Sequence, residues 1–193
     1  MSAGMTTANQ ITLFRILLIP LFVAEMAVYF QTGRERDWVL SLAAFGLAAA
    51  LDGVDGYVAR RFNQRTPLGA VLDPTADKLL LTAAVVLLTF DSRGRLARIP
   101  GWFAATVIGR DVLLSAGVGV VRWARGAVRV RPRLAGKAAT AVQMVFVVWI
   151  LLKGPAISAG CWGLAAGLSL LAGFQYLGDA VQQWRVGGRS RPA

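Results

Sequence analysis

Four aspartates crowd into residues 52–77 of the chain: Asp52, Asp55, Asp73 and Asp77, four of its ten acidic residues. Asp52 and Asp55 are three apart and Asp73 and Asp77 four apart, so on helices each pair projects from a single face. A short linker carrying Asn63, Gln64, Arg65, Thr66 and Pro67 joins the two segments, which predicts antiparallel neighbours with the carboxylates converging at one end. Hard oxygen donors of this kind suit Mg2+ or Mn2+. Two such ions roughly 3.5 to 4 Å apart clamp a pyrophosphate during in-line displacement.

The residues between the aspartates fit a phosphate. Gly56 follows Asp55 and Gly69 stands four before Asp73. A helical glycine costs about 1 kcal/mol against alanine unless a ligand or another backbone must come close. Ala59 lies one turn beyond Asp55 and keeps the same face open, next to Arg60, a cation suited to a phosphate oxygen. Each has a plainer reading: Gly56, Ala59 and Gly69 as small helix-packing residues, and Arg60 as an interfacial anchor. Asp73 precedes Pro74, so it also reads as an N-cap with proline at the first helical position.

The chain has no histidine, which excludes histidine acid-base work, Ser-His-Asp triads and histidine metal sites; catalysis must use carboxylates. Cys161 is the single cysteine, forms no intramolecular disulfide and reads as a buried small hydrophobe.

These residues sit in a chain that is 56% hydrophobic, more than a soluble core needs, and the apolar residues come in long runs. Runs of about 17 to 25 apolar residues span a bilayer. Six segments qualify, near 10–31, 38–61, 70–90, 97–121, 136–153 and 156–184, all expected to be helical because lipid offers backbone groups no other partner. The run from Ile16 to Phe30 lacks a basic n-region and reads as the first span rather than a removed signal. No repeat or separate soluble module interrupts residues 1–193, read as one all-α membrane domain with a frayed Gly-Gly-Arg-Ser-Arg-Pro ending.

In that setting the aspartates are expensive. Each costs roughly 2.5 to 3.5 kcal/mol near the membrane centre, so four unpaired would cost on the order of 10 kcal/mol, which marks them as functional. The net charge of +11 falls mostly in short linkers, so the expected partner is anionic lipid and not nucleic acid. Arg60, Arg61 and Arg65, then Arg122 to Arg133, then Arg185, Arg189 and Arg191 share one side, which the positive-inside rule assigns to the cytoplasm with the N-terminus. The opposite linkers hold Arg34, Arg36, Arg93, Arg95, Arg98 and Lys153, partly balanced by Glu35, Asp37 and Asp91. The Arg122–Arg133 linker either binds anionic headgroups or only sets topology.

The pattern Asp52, Asp55, Gly56, Ala59, Arg60, Gly69, Asp73 and Asp77 resembles the signature of the CDP-alcohol phosphatidyltransferase family at all eight positions. The resemblance implies a homodimeric six-helix enzyme, multi-pass in the cell (inner) membrane, with two divalent metals in an active site open to the cytoplasm. By position, Asp52, Asp55, Asp73 and Asp77 correspond to metal ligands. Asp52, Gly56, Ala59, Arg60 and Gly69 correspond to the CDP-binding residues of CDP-diacylglycerol, and Asp77 to the general base as well.

The opening run Asn9 to Arg15 with Pro20 looks like the phosphatidylglycerophosphate synthase and cardiolipin synthase branches of that family. Thr12 and Arg15 share a helix face and either support the nucleotide site or snorkel to the interface. Arg110, beside Asp111, is either half of a structural ion pair or a ligand for an acceptor phosphate, and Lys137 is a second cation for it. Glycerol 3-phosphate is the favoured acceptor. Phosphatidylglycerol is the alternative, since Arg110-Asp111-Val112 and Gly136-Lys137 with Thr140 and Gln143 look somewhat more like the cardiolipin branch. The competing class is a cation channel or transporter with the aspartates along its path. It has no use for Arg60 or the paired glycines and releases no CMP.

Overall fold

The computed structural model describes the backbone of residues 7–61, 69–125 and 134–186, and the side chains of residues 11–52, 75–117 and 136–175. The described residues form six α-helices and no strand: α1 (Thr7–Thr32), α2 (Glu35–Arg61), α3 (Gly69–Thr89), α4 (Gly101–Arg125), α5 (Leu134–Leu151) and α6 (Ala159–Val186). They match the six apolar segments read from the sequence, and the ends that differ do so for local reasons. Helix α2 begins at Glu35, with Asp37 also in its first turn, where carboxylates meet the positive end of the helix dipole. Helix α4 begins at Gly101, four residues later than expected, because the Pro100 carbonyl accepts from the Phe103 and Ala104 amides at its start. Helix α6 starts behind Ser158, whose carbonyl accepts from Trp162 and whose Oγ accepts from the Cys161 amide. Cys161 is exposed in that first turn, which corrects the expectation of burial.

The helices divide into two compact units, one holding α1, α2 and α3 with residues 150–154, the other α4, α6 and α5 up to Trp149. In the first unit α1 packs on α2 and α3, and α2 packs on α3. Helix α1 presents one buried stripe, Leu18, Ile19, Phe22, Met26, Tyr29 and Phe30, at the three-and-four spacing of a helix face. Helix α2 answers with Ser41, Ala44, Phe45 and Ala48, where the alanines let the two backbones approach closely. The pairing is antiparallel: Thr32 Oγ1 donates to Asp37 Oδ2 at one end (3.0 Å), and the Phe22 and Phe45 rings meet at 5.3 Å midway. Helix α3 adds Ala76, Leu80, Leu81, Ala84, Val85 and Leu88.

One end of this unit is stapled by polar contacts. Buried Asp91 accepts from the amides of Arg93, Gly94 and Leu96 and so shapes the loop after α3. From that loop Arg93 donates to the Gln31 carbonyl (2.7 Å) and Arg95 to the Phe30 carbonyl (3.1 Å), closing the C-terminus of α1. Gly33 caps the same helix at φ 72°, and a Cβ there would land on the Arg95 guanidinium. Lys153 bonds both oxygens of Glu35 (2.8 and 2.7 Å) and lies 4.1 Å from the centre of the Trp38 ring, whose Nε1 donates to the Leu151 carbonyl. Its partner Glu35 holds the Lys153 ammonium above the ordinary lysine value. These cations therefore have structural tasks at the ends of α1 and α2.

By length and composition, one helix among the described residues, Ile11–Thr32, is long and apolar enough to cross a membrane, and Gly136–Leu151 and Ala159–Gln175 are shorter apolar helices. Helices α2, α3 and α4 have charged residues within their length: Asp52, Asp55, Arg60 and Arg61 in α2, Asp73, Asp77 and Lys78 in α3, Arg110 and Asp111 in α4.

Candidate active site

The two aspartates whose side chains are described extend buried stripes. Asp52 stands four residues after Ala48 and seven after Phe45, so it lies on the face of α2 that packs inward. Asp77, half-buried, stands four before Leu81 and eight before Val85 on the inward face of α3. In helical register Asp55 follows Asp52 by three and Asp73 precedes Asp77 by four, so both fall on these same faces. The helices that carry them pack together and are connected where α2 ends at Arg61 and α3 begins at Gly69. The expected antiparallel pair thus exists, with the signature at its connected end.

The side chains of Asp55, Ala59, Arg60 and Asp73 and the surroundings of Gly56 and Gly69 lie outside the described residues, although all six positions fall in helices. Linker residues 62–68, with Asn63, Gln64, Arg65, Thr66 and Pro67, lie outside them too, as do residues 126–133 of the basic linker and the tail from 187. Among the described residues no three acidic or cysteine side chains meet.

The structure adds Arg15 to this end of the bundle. Its guanidinium is fully buried and ion-paired with Asp52, whose own side chain keeps 45% of its surface exposed. Arg15 therefore does not snorkel to an interface; it continues the buried stripe of α1 that begins with Thr12 and runs through Leu18, Ile19 and Phe22. The signal in the sequence was its place on the apolar face of α1, three before Leu18 and seven before Phe22. One edge of the Asp52 carboxylate is held by a fixed cation and the rest stays open to a ligand.

This donor set fits divalent cations. The chain offers only carboxylates as strong ligands here, their oxygens are hard, and Asp52 is both anchored and accessible. Asp52, Asp55, Asp73 and Asp77 are the residues that would hold such ions.

The second unit carries the two cations assigned to an acceptor. Arg110 donates through Nε and Nη2 to Asp111 Oδ1 (2.9 and 2.6 Å) and through Nη1 to Ser169 Oγ (3.2 Å), with only 8% of its side chain exposed. The ion pair with Asp111 exists, and it occupies one edge of the guanidinium. Lys137 stands exposed in the first turn of α5.

A model of the CDP-alcohol phosphatidyltransferase family matches residues 5–174, which takes in the signature and helices from both units. The chain belongs to this family. CDP-alcohol phosphatidyltransferases similar to it include a CDP-diacylglycerol--glycerol-3-phosphate 3-phosphatidyltransferase of Pseudomonas fluorescens, 36% identical with 96% of this chain and 95% of the relative covered. A protein of the same name from Salmonella typhimurium is 37% identical over 90% of this chain and 96% of its own length. One from Shigella flexneri is 36% identical over 88% and 92%. Membership makes the chain a CDP-diacylglycerol-dependent phosphatidyltransferase and replaces the channel reading of the aspartates.

Proposed function

We propose that the chain transfers the phosphatidyl group of CDP-diacylglycerol to glycerol 3-phosphate and releases CMP. The observation that carries this reading is the eight-position signature on α2 and α3, with Asp52 and Asp77 both on inward faces at the connected end of the helix pair. The acceptor is supported by the names of relatives that align over nearly their whole length.

In the reaction the acceptor hydroxyl oxygen attacks the phosphatidyl phosphorus. A new P–O bond forms, the bond to CMP breaks, and CMP leaves with the electron pair. Asp77 takes the hydroxyl proton as general base. Asp52, Asp55, Asp73 and Asp77 would hold two Mg2+ or Mn2+ ions, which would supply positive charge to offset the negative charge growing on the leaving group. Gly56, Ala59 and Gly69 leave room for the CDP moiety and Arg60 binds its phosphate. Arg15 holds Asp52 in one orientation, so that the ligand is in place before substrate arrives. Arg110 and Lys137 bind the acceptor's phosphate.

All six helices lie in the cell membrane with the N-terminus and the active site on the cytoplasmic side, and the enzyme works as a homodimer. Two features support the membrane placement: the basic residues of the linkers, and large apolar side chains turned outward on both units. Leu17 is 68% exposed, Phe90 77%, Leu164 74% and Phe174 72%, an outer surface suited to lipid. Purified protein given CDP-diacylglycerol, Mg2+ and one acceptor at a time tests the reading: CMP release is expected with glycerol 3-phosphate. Release with phosphatidylglycerol instead would move the enzyme to cardiolipin synthesis, and release with no acceptor of a broad panel would end the proposal.

A further inference from the structure

Each helix of the second unit breaks its apolar stripe at the same place. Helix α4 buries Phe103, Ala104 and Val107 and then turns Arg110 inward on the same face. Helix α5 buries Ala139 and Val147 but has Gln143, 1% exposed, between them. Helix α6 buries Trp162, Ala165, Ala166 and Ala172 around Ser169, which is fully buried. The three polar residues meet at one atom. Ser169 Oγ accepts from Gln143 Nε2 at 2.7 Å and from Arg110 Nη1 at 3.2 Å, while Asp111 Oδ1 takes Nε and Nη2 of the same guanidinium. Gly173, one turn along α6 from Ser169, faces the arginine stem: a Cβ there would stand 3.4 Å from Arg110 Cγ, in ordinary contact with it.

Stability alone gives a poor account of this layer. Gln143 Oε1 is buried and accepts no hydrogen bond among the described residues. A polar layer with an unsatisfied buried acceptor is worth less to the fold than an apolar layer of the same shape. What the layer does achieve is orientation. A free arginine side chain samples many rotamers, whereas this one is gripped on one edge by Asp111 and at Nη1 by a hydroxyl that a third helix in turn fixes. Among the described residues these contacts use three of the five guanidinium N–H groups, and the other two are donors suited to an oxyanion.

We infer that Ser169 and Gln143 are positioning residues that aim the Arg110 guanidinium at the phosphate of the acceptor alcohol. The inference rests on the reading of Arg110 as an acceptor-phosphate ligand. Neither residue touches substrate; Ser169 acts on Arg110 directly and Gln143 through Ser169.

Steady-state kinetics of CMP release in detergent micelles, with glycerol 3-phosphate and CDP-diacylglycerol varied separately, tests it on Ser169→Ala, Ser169→Thr, Gln143→Leu and Arg110→Gln. Loss of one positioning hydrogen bond is expected to raise the KM for glycerol 3-phosphate about 5- to 10-fold. In the Ser169→Ala and Gln143→Leu variants the KM for CDP-diacylglycerol and kcat should stay within about twofold, and Ser169→Thr, which keeps the hydroxyl, should return the acceptor KM toward the starting value. If Ser169→Ala does not fold, Gln143→Leu carries the same readout, since leucine satisfies the layer without a polar atom. Both KM values rising together, or a change in Tm with no change in acceptor KM, overturns the positioning role. If Arg110→Gln raises the acceptor KM while the Ser169 and Gln143 variants do not, the positioning role fails and Arg110 stands as a ligand; if Arg110→Gln leaves it unchanged, the reading of Arg110 fails and the inference with it.

Discussion

The buried guanidinium of Arg15 and the half-exposed carboxylate of Asp52 form an ion pair that ties α1 to the first residue of the signature on α2. The two ends of the pair are unequal, since Arg15 has no exposed surface and Asp52 keeps 45% of its own. Removing the acid takes one charged partner from a fully buried cation, whereas removing the arginine leaves a carboxylate that solvent or a metal reaches. Asp52→Leu is therefore expected to destabilise the folded protein more than Arg15→Met, by on the order of 3 kcal/mol. The double variant should recover part of the loss. Denaturant unfolding in micelles measures this; equal losses for the two single variants would contradict the asymmetry.

Asp77 separates chemistry from binding. Asp77→Asn keeps the size and a ligating oxygen but cannot take a proton, so turnover should fall by roughly 10²- to 10⁴-fold while CDP-diacylglycerol binding remains measurable. CMP release in single-turnover assays, set beside retention of a labelled substrate, distinguishes the two. Full activity in the variant would remove Asp77 as the base.

Stripping divalent ions with a chelator should abolish CMP release, and Mg2+ or Mn2+ should restore it, because carboxylates alone offer no positive charge to the leaving group. Asp52→Asn should need more Mg2+ for half-maximal rate than the unchanged protein. A rate insensitive to chelation would leave the four aspartates without the assigned role.

Gly33 ends α1 at φ 72° with the Arg95 guanidinium lying where a side chain would begin. Gly33→Ala imposes left-handed strain of about 1 to 2 kcal/mol and also displaces Arg95 from the Phe30 carbonyl. A fall in Tm is expected with little change in the kcat of the folded fraction, since the helix end is remote from Asp52 along α1 and α2. Thermal unfolding followed by circular dichroism reads the first and CMP release the second.

The Lys153–Glu35 pair predicts a pH dependence of known sign. Glu35 raises the lysine pKa above its ordinary 10.5. The pair's contribution is thus fully present below about pH 10.5 and is lost as pH rises through the raised value. The Tm difference between the unchanged protein and Lys153→Ala should be flat from neutral pH to about pH 10 and shrink above it. A difference that grew with pH would reverse the assignment.

Much of the first unit was legible because its signals are local. The helices α1, α2 and α3 follow apolar runs, and the signature from Asp52 to Asp77 lies within one helix pair, where three- and four-residue spacing by itself sets which positions share a face. The eight-position pattern named the reaction class for the same reason. Cys161 was misread because an apolar neighbourhood in sequence does not tell which side of a helix faces inward, and its side faces out.

Sequence alone, then, determined six helices, four aspartates on two of them and the phosphatidyl-transfer reaction class, because helix periodicity and a short residue pattern are properties of a few consecutive residues. Tertiary structure decided what the arginines do. Arg15 reaches across 37 positions to Asp52, and Arg110 across 59 to Ser169, which also takes Gln143. Burial fixes the worth of each such charge, and burial depends on which helix faces pack together, a relation that no single stretch of chain contains.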